Sequence, residues 1–271
     1  METHSNRNLD IKDNMTLPFG IDISRYNTSA DGKKKVNFDI IAAHIPKVLY
    51  IAARCGISWG YQDPWFEYYW QEMERIKANR LAYHVLYPGE SAQRQADNLF
   101  RIVQGDWEHD RLVLDLELDH GYNKYTITKC TSQLLEICRS ETGRYPIIYS
   151  RASWVDVHMN AKDLPKVDWW LAQYYYPRPY PFYTPEKPPP PRLPLHVFDW
   201  LACQTGEKCK SIGTPGNYYM DYNRWNGDVM DVVEYFGGSE PEPPQPPDNS
   251  ELIKDKAREI ETLADEIVSL V

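Results

Sequence analysis

An α/β fold, an irregular TIM-like (β/α)5β3 barrel followed by a C-terminal coiled-coil helix, follows from three observations on the sequence. Short apolar runs alternate with amphipathic segments from residue 18 to about residue 151, the pattern of parallel strands joined by helices. Three more strand-like runs then follow with no long helix between them, which makes eight strands, the number that closes a small barrel. Beyond a proline-rich spacer, isoleucine and leucine recur at heptad spacing.

The first five strands are read in PFGIDISRY, VLYIAARCG, RLAYHVLYP, RLVLDLELD and YPIIYSR. They are apolar on both faces, as expected where helices cover a sheet. The clearest helix starts with Asp63 as N-cap and Pro64 at its first position and runs through FEYYWQEMERIKAN. A second runs from about Thr126 to a stop at Gly143. WWLAQYY, VFDWLACQT and YYMDYNRWN supply the last three strands.

These elements divide the chain into an N-terminal extension (1–17), a barrel (18–237), a proline-rich linker (238–250) and a coiled-coil helix (251–271). In the helix Ile253, Ile260 and Ile267 hold one seam position and Leu263 and Leu270 the complementary one, with Lys256 interrupting it. Self-association through this seam is the favoured reading, and docking of the helix on its own barrel is the alternative. Within the barrel, Pro177 to Pro194 is too rich in proline for a strand or helix and reads as a stiff surface loop.

The 271 residues, 42% hydrophobic and 25% charged, are enough for one large core or two modest ones. No apolar run is long enough to span a membrane, and METHSNRNLDIKDNMTLP lacks the apolar segment of a secretory signal. A formal charge of -9, with no basic stripe among aromatics, argues against a nucleic-acid partner. The five cysteines are irregularly spaced, so buried free thiols are expected rather than a disulfide framework or a zinc site. Twenty Tyr and nine Trp can stack on sugars, although composition alone favours an ordinary core.

The chemistry is concentrated in RLVLDLELDHG. Asp115 and Glu117, two residues apart, place carboxylates on one face at the end of a core strand, roughly 7 Å apart at their Cα atoms. In α/β barrels the C-terminal strand ends form the active-site face. Asp22 in FGIDIS and Asp221 in YYMDYN lie in equally apolar surroundings near either end of the barrel segment. Closing the barrel brings their strands, the first and eighth, side by side. Four inward carboxylates repel one another, which raises at least one pKa and prepares a general acid. Clustered carboxylates also hold Mg or Ca, and His84 and His120 could join them. However, no EF-hand, HExxH or phosphate-binding glycine loop occurs, so no metal or cofactor is expected, and sugar chemistry fits better.

GIDIS, YIAARCG, the AYH of Ala82 to His84, LDLE, PIIYS, WWLAQYY and MDYNRWNG, taken in order across residues 18–237, resemble the glycoside hydrolase family 25 lysozymes, the Chalaropsis-type muramidases. The resemblance implies an irregular barrel of eight strands and about five helices. It implies that Glu117 is the general acid, that Asp115 is its partner carboxylate, and that Asp22 and Asp221 flank and tune the site. Tyr83, His84, Tyr149, Trp170 and Gln173 would line the groove. The bond cut would be the β-1,4 link from N-acetylmuramic acid to N-acetylglucosamine in bacterial peptidoglycan, with participation of the N-acetyl group. The protein would then act on the cell wall, extracellular or particle-associated. Cys203 stands before Gln204 where the family usually has Trp, which removes a groove wall unless Trp200 takes its place. A non-catalytic glycan-binding module of a phage or phage-like particle is the alternative from another class.

Overall fold

A computed structural model describes residues 16–29, 31–175, 185–215 and 219–238. The chain divides between Gly238 and Ser239, so the coiled-coil seam expected over residues 251–271 lies outside the described residues. The described strands are β1 Phe19–Ile23, β2 Val48–Ile57, β3 Tyr61–Gln62, β4 Asn79–Val85, β5 Arg111–Asp115, β6 Ile147–Ser150, β7 Trp169–Ala172, β8 Ala202–Cys209 and β9 Met220–Trp225. Their order is β1-β9-β8-β7-β6-β5-β4-β2-β3, and β1 also pairs with β2, so eight strands close into a barrel. Seven run parallel, whereas β9 is antiparallel to both β8 and β1.

Five helices connect the first six barrel strands: α1 Phe38–Ala42, α2 Phe66–Arg75, α3 Ala92–Ile102, α4 Lys124–Thr142 and α5 Ala152–His158. This is the (β/α)5β3 arrangement predicted by the sequence. The longest, α4, is held at its start by Asn123, whose side chain accepts the Thr126 N–H at 3.0 Å. It ends at Gly143, whose φ of 77° is the left-handed conformation that glycine adopts without strain. No described helix is long and apolar enough to cross a membrane.

The period-two alternation of each strand separates two apolar layers. Ile21 and Ile23 of β1, Ile51, Ala53 and Cys55 of β2, and Leu112 and Leu114 of β5 face the helices. Tyr50, Leu81, Val113, Ile147, Trp170 and Trp225 fill the barrel interior. Its N-terminal end is closed by α6, Val229–Tyr235, which brings Val232 and Phe236 into the interior cluster. All five cysteines are free and buried.

Two local expectations are corrected. The helix expected to open at Asp63 begins at Phe66, after a turn in which Asp63 Oδ1 accepts the Trp65 N–H at 3.1 Å while its Oδ2 binds Arg54. The strand expected in VFDWLACQT begins only at Ala202, and Phe198 before it is 90% exposed. The sequence pattern does not predict β3 or α6, since one has two residues and the other is shorter than a reliable periodic window. The described half of the proline segment is tied down: Pro188, Pro191 and Pro194 are buried at every third residue, the repeat of an extended polyproline chain.

Gly20 faces inward on β1, and a Cβ there would lie 2.3 Å from the ring of Tyr50. That ring is itself buried and packs edge-on against Trp225 at 5.2 Å, so it has no room to move away. Gly20→Ala should therefore destabilise the barrel by about 1–3 kcal/mol. Urea unfolding of both proteins tests this, and an unchanged midpoint would contradict the packing.

Candidate active site

At the C-terminal ends of the parallel strands lies a cleft of about 240 Å³ lined by all four predicted carboxylates, Asp22, Asp115, Glu117 and Asp221. On β5 the alternation points Leu112 and Leu114 outward and Val113 and Asp115 inward, and Glu117 continues the inward face just past the strand. Asp22 and Asp221 are register partners on the antiparallel β1–β9 pair, as closure of the barrel predicts.

Asp22 is the hub of a hydrogen-bond network. Its Oδ2 accepts from Gln204 Nε2 at 2.9 Å and from Asn223 Nδ2 at 2.8 Å. Gln204 Oε1 in turn accepts the hydroxyls of Tyr149 at 2.7 Å and Tyr174 at 2.8 Å. Asn223 Oδ1 accepts the indole N–H of Trp170 at 2.9 Å. An indole can only donate, so the Asn223 oxygen faces Trp170 and its amide nitrogen must face the carboxylate. Every strand from β6 to β9 contributes one of these groups, which makes the network a brace across half of the barrel mouth.

Burial dominates the electrostatics. It pushes the pKa of Asp115 well up, helped by the charges of Glu117 and Asp22 and opposed by Arg54 and Arg151. Asp221 is pushed well up by burial and by the facing Asp22. Asp22 is raised by burial but lowered by the Asn223 and Gln204 amides, so of this facing pair Asp221 is raised the more strongly. One Asp115 oxygen, Oδ1, is buried without a hydrogen-bond partner among the described residues. Glu117 is more open, its side chain 33% exposed, with Arg151 at 3.2 Å.

Of the predicted groove residues, Tyr83, Tyr149, Trp170 and Gln204 line the cleft. His84, Gln173 and Trp200 do not, and each misplacement has a geometric cause. Tyr83 and His84 are neighbours on β4, so only one can face the mouth. His84 points into the layer beneath the helices, fully buried, with its pKa pushed down to about 4 by that burial. Gln173 continues the outward face of Trp169 and Leu171, and its side-chain oxygen accepts the backbone N–H of Arg192 in the proline segment. Trp200 precedes β8 at the opposite end of the barrel, where it lines a separate depression with His196 and Phe198. It therefore does not replace the missing wall beside Gln204, and Cys203 itself is buried beside Tyr175. His120 stacks on Tyr87, ring centroids 3.9 Å apart.

The cleft also contains groups that the sequence reading leaves out, notably Tyr26, Arg54, Arg151, Tyr174 and Glu207, while Asn223 braces it. Asn223 lies two residues beyond Asp221 and so shares its face of β9, a signal available from strand period alone. Arg151 follows the apolar run of β6, at the strand end where barrel sites collect their residues. Arg54 binds the buried Asp63 from a strand ten residues long, and nothing in the linear pattern announces that pair.

A family model described as Glycosyl hydrolases family 25 matches residues 21–187. A protein of Escherichia coli O157:H7, described as uncharacterized protein YegX, is 30% identical over 222 residues, covering 81% of this chain and 73% of its own. Among solved structures, a muramidase from Trichobolus zukalii superposes with a TM-score of 0.65 at 21% identity, over 82% of this chain and 100% of that one. A family 25 glycosyl hydrolase from Bacillus anthracis gives 0.65 at 16% identity, over 87% and 100%. At these identities the two structures speak for the fold.

The raised pKa of Asp115 has a consequence for stability. A carboxyl of folded pKa above its unfolded value, about 3.9, contributes stability at pH below that value and loses it as pH rises toward the folded pKa. Asp115→Asn cannot ionise, so it should raise the thermal midpoint relative to the unsubstituted protein at pH 7 by more than at pH 4. Each 1 kcal/mol relieved corresponds to roughly 2–4 °C at this chain size. Equal differences at the two pH values, measured by circular dichroism, would show that the buried carboxylate carries no such cost.

Proposed function

The chain belongs to glycosyl hydrolase family 25 and is a glycoside hydrolase, and from that premise we propose that it is a peptidoglycan hydrolase of the lysozyme type, cutting the β-1,4 bond from N-acetylmuramic acid to N-acetylglucosamine. The observation that carries this reading is the pair Asp115 and Glu117 on one inward face at the barrel mouth, under a wall of Tyr83, Tyr149 and Trp170. Paired carboxylates supply acid catalysis, and aromatic faces hold sugar rings.

Glu117, the more open of the two, gives its proton to the glycosidic oxygen as the C1–O bond breaks. The carbonyl oxygen of the substrate's own N-acetyl group closes on C1, and Asp115 Oδ1, which has no hydrogen-bond partner among the described residues, is available to receive the N-acetyl N–H. Water then adds at C1 as the bond from C1 to the carbonyl oxygen breaks, and it gives a proton to Glu117, so the product keeps its configuration. Asp22 and Asp221 act through charge and through the brace that orients Gln204.

The site of action is the bacterial wall, reached from outside, with the barrel carried by a phage or phage-like particle. The heptad spacing of Ile253, Ile260 and Ile267 supports self-association through residues 251–271, behind a proline-rich linker at 238–250 and with 1–17 as an extension.

Glu117→Gln keeps the shape of the acid but has no proton to give, so turnover should fall on the order of a hundredfold or more with glycan binding retained. Release of reducing ends from purified peptidoglycan, with mass spectrometry of the new termini, reads both activity and bond choice. A variant that hydrolyses near the original rate would sink the assignment, and an unsubstituted protein that binds without cleaving would favour a binding module. The tail makes a separate expectation. The full chain should associate weakly in sedimentation equilibrium at micromolar concentration, and a chain ending at Gly238 should be monomeric. A monomeric full chain would place the helix on its own barrel.

A further inference from the structure

Two cationic side chains line the cleft, Arg54 and Arg151, and their situations differ. Arg54 is buried and committed to a buried partner, its Nε donating to Asp63 Oδ2 at 2.9 Å. The side chain of Arg151 is 54% exposed and touches one acceptor, Glu117 Oε1, from Nη2 at 3.2 Å and Nε at 3.3 Å. Both contacts are long for a charge-assisted bond, and they converge on one oxygen instead of forming the two-oxygen fork that guanidinium prefers. The remaining donors of this five-donor group have no protein acceptor among the described residues.

Its position is nevertheless fixed. Ser150 Oγ, at the end of β6, donates to the carbonyl of Leu116 at 2.6 Å, and both residues are buried. That bond ties the end of β6 to the segment following β5, so Arg151 and Glu117, the next residue on each, are held side by side at the rim. The other charged groups lining the cleft are acids, namely Asp22, Asp115, Glu117, Glu207 and Asp221. An accessible guanidinium with open donors, placed against the reacting acid inside an otherwise negative cleft, is a receptor for a single negative group on the substrate.

We propose that Arg151 anchors a carboxylate carried on the sugar at the scissile bond, either on its lactyl ether or on peptide attached there, and so makes the cleft select acidic over neutral N-acetylated β-1,4 glycans. This rests on the glycan-cleaving reading above and deepens it. The substrate carboxylate offers the guanidinium the two-oxygen fork that Glu117 does not, and the exchange frees Glu117 Oε1 for the glycosidic oxygen. Arg151 is thus a specificity-determining residue, and Lys, a point charge without the fork, should replace it only in part.

The test uses three ligands: peptide-free strands of alternating N-acetylglucosamine and N-acetylmuramic acid, the same strands with lactyl carboxyls amidated, and strands that keep their peptide stems. Binding is titrated by tryptophan fluorescence on the full chain in a Glu117→Gln background, which removes turnover, and KM and kcat are measured in parallel with Glu117 intact. Arg151→Gln should weaken binding of the peptide-free strands about tenfold, the scale of one charged hydrogen bond. It should also raise KM, and preference over the amidated strands should fall from about tenfold to below twofold. Arg151→Lys should recover part of it. Dependence on Arg151 confined to the stem-bearing strands would support the proposal with the peptide as the source of the carboxylate. Binding that is indifferent to Arg151 for both acidic ligands would overturn it, even if hydrolysis persists and the proposed function stands. Arg151-dependent binding with no hydrolysis of any strand would do the reverse.

Discussion

The carboxylate of Asp22 sits where β1 closes the sheet against β9, directly opposite Asp221, and the arrangement of the mouth depends on how that buried charge is satisfied. Gln204 and Asn223 each give it an amide hydrogen, and both amides are oriented by aromatic donors from β6, β7 and the segment after β7. A carboxylate at this depth without those donors would cost several kcal/mol. With them, it links the first strand to the last four and sets the positions of Tyr149 and Trp170, which wall the cleft. Closure of the barrel and construction of the site are therefore one event.

The cleft also stores electrostatic strain. Asp115 and Asp221 both have pKa values pushed well up, chiefly because burial penalises their charged forms. Interiors tolerate such groups where function needs them, and stability is made up elsewhere. Here the compensation lies in the two apolar layers, with α2, α3 and α4 outside the sheet and α6 closing its far end. Arg54, held by Asp63, places positive charge near Asp115, and Arg151 places a second, more exposed charge at the rim.

Strand period explains most of what was legible in the sequence and most of what was misread. Asp115 and Glu117 are two residues apart, and the alternation carries both to the mouth. Tyr83 and His84 are adjacent, and the same alternation sends His84 to the helix layer. Gln173 fails for the same reason, one residue out of phase with Trp170 and Ala172. Trp200 is near Gln204 in sequence, but four residues along an extended chain separate the two ends of the barrel.

The sequence by itself determined the class of the fold, the strand count, the helix that stops at Gly143, and the four carboxylates, because each depends on local periodicity or on a short string with one plausible direction. It also determined that Asp22 and Asp221 meet, since eight strands can close only by joining the first to the eighth. Tertiary structure alone decided that β9 runs antiparallel, that Asp63 binds Arg54, and that Arg151 stands against Glu117. Those pairings join residues from different strands and turns. Their partners are chosen by barrel curvature and register, which are properties of the closed sheet and are not written in any one segment.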